Sequence, residues 1–581
     1  MVLLDSEIAV GFDASAVVGS APHPGTEPVD RAPAPTRART VLLAALVLLL
    51  VYAALSLLDD PRGTLGTDTG GKFATLRSME HRGALDPDIG YWAARYDPRG
   101  HLHPLYYTEH VGRRWVNVTT LPMLYLAYPL YRFGGERAVL VLPMLGAVLA
   151  ALAARALAQR MRGGSGWWAF WAVGLATPLA VYALDFWEHA LGVAATLWAV
   201  VFVLDVIERR AGWRGALGAG ALFGLAATMR TEALVYALVA TAVMCVLHIR
   251  RGGTTRLACV LGAATTVGLG AVLVANQMLE RVAVGTGLRA GRAAGTVGQA
   301  AGGLERRFDE VLQTTIGFDR FPDAADWLLG GAVVALVAVA AVVLVRRERH
   351  GRGVAGLAIT AATLGYAIRF TDGLGFVPGF LSVSPLAVAG LVLAWRLPWA
   401  RTAVFVALAV LPLVWATQFS GGATAQWGGR YVLVSGTLLA VAGVVALRSS
   451  GHAAVTIFVL AGMAVTATGV AWLSARSHTA ADAMGEIVAR HDEVLVSRVQ
   501  HLLREGGAFY EPDRRWLTAT DPRETRDAFD VARRAGAHEV GLVQLAGERR
   551  ARAYGDFTRA GRIQRIDFVP WVPVTIATYR R

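Results

Sequence analysis

Apolar runs of roughly 15–20 residues recur from Val41 to Leu473, each bounded by arginines or by Gly and Pro, and runs of that length span a hydrocarbon core of about 30 Å. This pattern decides the fold class: an α-helical polytopic membrane protein. The composition agrees, with 55% hydrophobic residues among 581 and a mean hydropathy of +0.45, and it excludes an ordinary soluble chain. The expected surroundings are a lipid bilayer, with no nucleic-acid partner. Residues 1–40 are rich in Pro, Ala, Gly and Thr without apolar periodicity and read as a disordered cytoplasmic tail. The run Val41–Leu58 follows Arg31, Arg37 and Arg39. It lies too far along the chain for a signal peptide and no small-residue cleavage site follows, so it reads as an uncleaved anchor with its N-terminus inside.

Orientation follows from the short loops. Arginine clusters stand at Arg155/Arg160/Arg162, Arg209/Arg210/Arg214, Arg250/Arg251/Arg256, Arg346/Arg347/Arg349/Arg352, Arg396/Arg401 and around Arg448, and short arginine-rich loops face the cytoplasm. The clusters at 208–214 and 248–256 must be joined by an even number of crossings. Two short helices meeting at Arg230-Thr231-Glu232 satisfy this, and keep charges from mid-membrane, where each costs about 2.5–3.5 kcal/mol. About thirteen spans result: 41–58, 136–157, 167–184, 190–207, 215–229, 233–248, 257–276, 327–345, 353–370, 380–395, 402–417, 431–447 and 453–474. The expected arrangement is a multi-span unit over 41–474 in a plasma (inner) membrane, with its first outer loop at 59–135 and the C-terminal segment outside.

Within that loop, Thr119–Phe133 is apolar, rich in Tyr and too short to cross, and reads as an amphipathic helix along the outer interface. Residues 475–581 change to a soluble composition and read as a small extracytoplasmic α/β domain. Its predicted strands are Glu493–Ser497 and Glu539–Gln544; its predicted helix is Pro522–Ala535, capped by Asp521. No catalytic constellation is evident there. Cys245 and Cys259 imply no disulfide framework, and Asn117-Val118-Thr119 matches a glycosylation sequon no better than chance would.

Four charged motifs are expected on the outer face. The first is Asp68 with Lys72, the only lysine among 56 basic residues; a lysine is a compact point charge where arginine is a planar fork. The second is Asp185-Phe186-Trp187-Glu188-His189. If that turn is helical, Asp185, Glu188 and His189 share one side and suit an acceptor hydroxyl, a proton transfer or a divalent metal. The third is Arg230-Thr231-Glu232, and the fourth is Gln426-Trp427-Gly428-Gly429-Arg430-Tyr431, whose guanidinium and phenol suit a lipid-linked phosphate. Arg281, Arg289 and Arg292, spaced by glycines in the loop 277–326, add a basic cover for an anionic ligand.

Taken together, the Gly66–Phe73 segment, the Trp187-Glu188-His189 turn, Arg230-Thr231-Glu232 and the Gln426–Tyr431 run resemble the GT-C superfamily of membrane glycosyltransferases. That superfamily includes protein O-mannosyltransferases, the lipid A aminoarabinose transferase and actinobacterial enzymes. The resemblance covers about residues 41–475 and leaves the C-terminal segment out. It implies transfer of a hexosyl or pentosyl group, with inversion, from a polyprenyl-phosphate donor to a glycan, lipid or protein acceptor at the outer leaflet or cell envelope. On that reading Asp68 is the general base or acceptor-orienting carboxylate, and Lys72, Arg430, Tyr431, Arg289 and Arg292 surround the departing phosphate. Asp185, Glu188 and His189 would hold the acceptor or a metal (Mg or Mn), with Arg230 and Glu232 in support. Relatives differ in metal use, and the family often pairs two acidic residues where Thr67-Asp68-Thr69 supplies one, so a metal stays open. Two other classes compete. A flippase or transporter of a lipid-linked anion would spread charges along a pore and show an internal repeat. An O-antigen-ligase-like enzyme would rely on a late outer loop.

Overall fold

The computed structural model describes residues 38–63, 67–117, 119–287, 304–318, 324–346, 351–370, 377–417, 427–569 and 572–581. Nearly all of the tail predicted over 1–40, and the candidates Arg289 and Arg292, lie outside these residues.

The helices of the first half are α1 (Ala38–Leu55), α2 (Thr67–Arg82), α3 (Leu121–Ala138), α4 (Val141–Met161), α5 (Gly166–Leu175), α6 (Leu179–Tyr182), α7 (His189–Ile207), α8 (Trp213–Met229), α9 (Ala233–Arg250) and α10 (Thr255–Val284). The second half adds α11 (Leu304–Ile316), α12 (Ala324–Arg346), α13 (Gly351–Phe370), α14 (Phe380–Val383), α15 (Pro385–Leu393), α16 (Pro398–Thr417), α17 (Leu433–Ser450), α18 (His452–Val488), α19 (Leu502–Glu505) and α20 (Pro522–Arg534). Nine helices among the described residues are long and apolar enough to cross a membrane, and the chain is a multi-pass membrane protein.

Each of the four remaining expected spans is helical but short or broken. The 167–184 span is split into α5 and α6 around Pro178, which has no N–H to continue the ladder. The 380–395 span is split at Ser384-Pro385, where the Ser384 hydroxyl caps α15 by accepting from the Ala387 N–H. The 215–229 span is α8, only 17 residues long, and the apolar part of α13 is Gly353–Ala367.

With no hydrophobic drive between helices inside lipid, close packing of small residues takes over. Gly390 of α15 and Gly443 of α17 let the two backbones touch: a Cβ on Gly390 would stand 1.9 Å from the Leu439 carbonyl oxygen, and one on Gly443 2.1 Å from that of Leu386. Gly220 of α8 and Gly268 of α10 repeat the device, meeting the Thr265 and Leu217 carbonyls at 1.9 and 2.2 Å. The Arg430–Ser450 span sits at the centre of the bundle, 89% of it buried, while Ala38–Leu58 at the edge is 17% buried.

The 59–135 segment, expected as the first outer loop, is more ordered than its composition suggests. Its opening stretch forms α2, and a two-stranded antiparallel hairpin follows, β1 (Thr108–Val111) with β2 (Arg114–Asn117). The amphipathic segment forms α3, which buries Leu121, Met123, Leu124, Ala127 and Tyr131 while exposing Leu126 and Phe133. Asn117 of the sequon is buried and donates to the Tyr106 carbonyl and the Thr108 hydroxyl.

At the other end of the chain, α18 runs 37 residues without a break, through the boundary expected at 474. At 1.5 Å per residue that is about 56 Å, well beyond a hydrocarbon core of about 30 Å. It leads into a six-stranded mixed sheet in the order β4-β3-β5-β8-β7-β6. The strands are β3 (Val494–Ser497), β4 (Trp516–Thr518), β5 (Glu539–Leu545), β6 (Ala553–Tyr554), β7 (Phe557–Val569) and β8 (Val572–Arg580). Helix α20 packs its apolar face (Ala528, Phe529, Val531, Ala532) into the core of that sheet, and the Asp521 carboxylate caps it by accepting from the Arg523 and Glu524 N–H groups.

Candidate functional site

All four charged motifs contribute to one cluster, the second through Glu188, and each contribution comes from the end of an element. Asp68 and Lys72 share a face of α2 at positions i and i+4. Glu188 stands at the N-terminus of α7, and Arg230 and Glu232 flank the vertex between α8 and α9. Arg430 is presented by a turn built for it. Trp427 is fully buried, with its ring 5.5 Å from that of Trp472. Gly428 and Gly429 both take left-handed backbone angles (φ +71° and +65°), a conformation that glycine adopts at no steric cost. Gln426, which opens this motif, lies outside the described residues.

The charges form two short chains. In the first, Asp68 lies between two guanidiniums: its Oδ1 accepts from Arg504 Nη2 at 3.1 Å, and its Oδ2 is 3.6 Å from Arg430 Nη1. In the second, Lys72 Nζ pairs with Glu188 Oε2 at 2.5 Å, Arg230 reaches Glu188 Oε1 at 3.5 Å, and Arg230 Nε donates to Glu232 Oε1 at 2.9 Å. Tyr431 links them, since the guanidiniums of Arg430 and Arg230 lie 4.7 and 4.8 Å from its ring centre. Four cations thus surround three carboxylates.

Lys72 is 1% exposed and Glu188 6%, whereas a third of the Asp68 side chain is open. Burial disfavours charge on both Asp68 and Glu188, yet the facing cations prevail. Arg504, Arg430, Lys72 and Arg230 hold the Asp68 carboxyl well below the usual carboxylate range, and Lys72 and Arg230 hold Glu188 below it. A cavity of about 10 Å³, the size of roughly one water, lies between His189, Arg230, Glu232, Arg430 and Tyr431.

The Asp185–His189 motif is not gathered as expected. Residues 183–188 form a turn, and α7 starts only at His189, so the three side chains do not share a helical face. Asp185 is buried and its charge bears on Asp59; Glu188 turns to Lys72; His189 packs its ring 4.7 Å from that of Trp187. This donor set does not fit a metal. Both Glu188 oxygens are taken by cations, His189 shares its cavity with two arginines, and no group of three or more His, Cys, Asp or Glu among the described residues could hold an ion. Lys72, expected beside a phosphate, pairs with Glu188.

Arg504 is the residue that sequence reasoning missed. It comes from α19 in the C-terminal segment, 436 positions from its partner Asp68, and its neighbour Glu505 makes it read locally as one half of an ordinary charged pair.

No protein-family model matches the chain, and no curated protein does. Among solved structures, the chain is similar to ArnT from Cupriavidus metallidurans bound to undecaprenyl phosphate, at 14% identity and a TM-score of 0.44, over 93% of this chain and 98% of that one. It is also similar to the archaeal oligosaccharyltransferase AglB from Archaeoglobus fulgidus in complex with an inhibitory peptide and a dolichol-phosphate, at 13% identity and a TM-score of 0.42, over 86% and 69%.

Proposed function

We propose that the chain is a membrane glycosyltransferase that moves a sugar from a polyprenyl-phosphate donor to an acceptor hydroxyl at the outer leaflet, with inversion. One observation carries this reading: the part-open Asp68 carboxylate lies between two guanidiniums, beside a further lysine and arginine. Such a site meets both demands of the reaction. The acceptor oxygen forms its bond to the anomeric carbon as the bond from that carbon to the phosphate oxygen breaks, and the acceptor proton passes to a base. Asp68 is the base or orienting carboxylate. Arg430, with Arg230 and Tyr431 behind it, stabilises the negative charge on the departing polyprenyl phosphate. Glu188 keeps Lys72 and Arg230 in register and Glu232 steadies Arg230. The sugar, whether hexose or pentose, and the acceptor, whether glycan, lipid or protein, are set by surfaces beyond this charged core.

The test is turnover of the purified protein with a panel of polyprenyl-phosphate sugars and envelope acceptors. Asp68→Asn is expected to lower turnover by about 100-fold or more, while polyprenyl phosphate still binds. Full turnover in that variant would remove Asp68 from the chemistry, and no transfer by the unaltered chain across the panel would remove the reading.

A further inference from the structure

The two arginines on Asp68 are held differently. Arg504 is 2% exposed and secured on both sides: Nη2 donates to Asp68, and Nη1 donates to the Tyr106 carbonyl at 2.8 Å. Its guanidinium also lies 4.7 Å from the ring centre of Tyr107, a non-glycine residue held at φ +62°. Strain of this kind persists only where the surroundings dictate the conformation. Arg430 approaches Asp68 at 3.6 Å, beyond hydrogen-bond length, and its Nε is buried without a hydrogen-bond partner.

The backbone beneath Arg504 is also fixed. A Cβ on Gly70 of α2 would stand 1.8 Å from the Arg504 carbonyl oxygen, and one on Gly507 1.8 Å from that of Gly70. The C-terminal segment therefore docks on α2 main chain to main chain, two residues from Asp68, as two facing glycines permit.

We propose that Arg504 is a positioning residue for Asp68, supplied by the C-terminal domain as the fixed cation of the site, while Arg430 is the exchangeable cation that leaves Asp68 for the donor phosphate. This rests on the glycosyl-transfer reading. The charged groups that bear on Asp68 are Lys72 on its own helix, Glu188 at the start of α7, Arg230 at the α8–α9 vertex, Arg430 ahead of α17, and Arg504. An aspartate clasped by two guanidiniums is a weak base. When an arriving phosphate draws Arg430 away, the carboxylate regains basicity as the leaving group becomes neutralised, and Arg504 keeps its orientation through the change.

Two measurements test the proposal. In the first, pH profiles of kcat/KM are compared for the unaltered chain, Arg504→Ala and Arg504→Lys. Loss of the guanidinium makes Asp68 easier to protonate, so the acid limb in Arg504→Ala should rise by about one pH unit or more. Its kcat should fall roughly 10-fold or more with donor KM little changed, and Arg504→Lys should restore the limb in part. In the second, Asp68→Cys is made in a chain carrying Cys245→Ala and Cys259→Ala, and thiol alkylation is followed against pH with Arg504 or with Ala at 504. The half-maximal pH should be higher with Ala, a readout that needs no turnover. If Arg504→Ala does not fold, Arg504→Gln takes its place. Unmoved acid limb and unmoved thiol titration in a chain that transfers sugar would overturn the proposal alone. A thiol shift in a chain that transfers no sugar would remove the glycosyl-transfer reading and keep the Arg504–Asp68 coupling.

Discussion

At the scale of single residues, Asp59 carries a consequence of its own. It follows the first span directly and is 3% exposed, with neither carboxylate oxygen hydrogen-bonded. Burial, and then the charge of Asp185, push its carboxyl up to about 7, with Arg137 pulling the other way. Unfolded, the group titrates near 3.8, so the folded state binds a proton over a range where the unfolded state has released it. That contribution to stability is fully present below about pH 4 and is lost as pH rises through 7. Asp59→Asn should therefore be more thermally stable than the unaltered chain at pH 8, with the difference shrinking as pH falls and gone below about pH 4; melting curves across that range decide it. Residue-level reading singles out a side chain that is chemically odd for its setting. The single lysine stands alone among arginines, and it is buried against Glu188, a compact ammonium in place of a planar fork. It could not reveal that partner, because Lys72 and Glu188 are 116 positions apart.

Among the elements, most of the apolar helices were legible, though not their ends, because arginine and Gly/Pro punctuate nearly unbroken apolar runs. Helix α2 was not, since its two glycines and scattered polar residues leave no apolar stripe; it is stabilised by what it packs against. The length of α18 was hidden for a related reason, as its polar second half reads as soluble while remaining good helix-forming sequence. The α15–α17 contact gives a prediction at this scale. Gly443→Ala places a methyl 2.1 Å from the Leu386 carbonyl, and overpacking of this kind typically costs about 1–3 kcal/mol. Because α17 begins just after Arg430 and Tyr431, the variant should also bind polyprenyl phosphate less tightly. Gly331→Ala in α12, where nothing lies within 4 Å, serves as the control and should melt and bind as the unaltered chain does. Equal behaviour of the two variants would refute the packing argument.

For the molecule as a whole, the contact between α2 and α19 places the 59–135 segment and the C-terminal domain at the same end of the bundle. Sequence topology expects that end outside. Cysteine introduced at Asp513, whose side chain is 84% exposed, in the Cys245→Ala/Cys259→Ala chain should react with a membrane-impermeant maleimide on intact cells. Labelling only after lysis would reverse the orientation. The global architecture was readable because lipid forces backbone groups to pair within each helix, which makes spans a local property of sequence. Completion of the site was not, because it depends on a docking between residues near 70 and residues near 505 that no local pattern encodes. The unbroken α18 gives that docking a mechanical side. Its stretch beyond Ser474 is an arm of about 20 Å, and helices change tilt to match the thickness of the lipid around them. A tilt of about 10° swings the tip of such an arm by several ångströms, as far as the reach of the Arg504–Asp68 hydrogen bond. One rod thus joins the ring of lipid at its base to the domain that supplies Arg504, so a change in bilayer thickness loads the α2–α19 contact that holds that guanidinium in place.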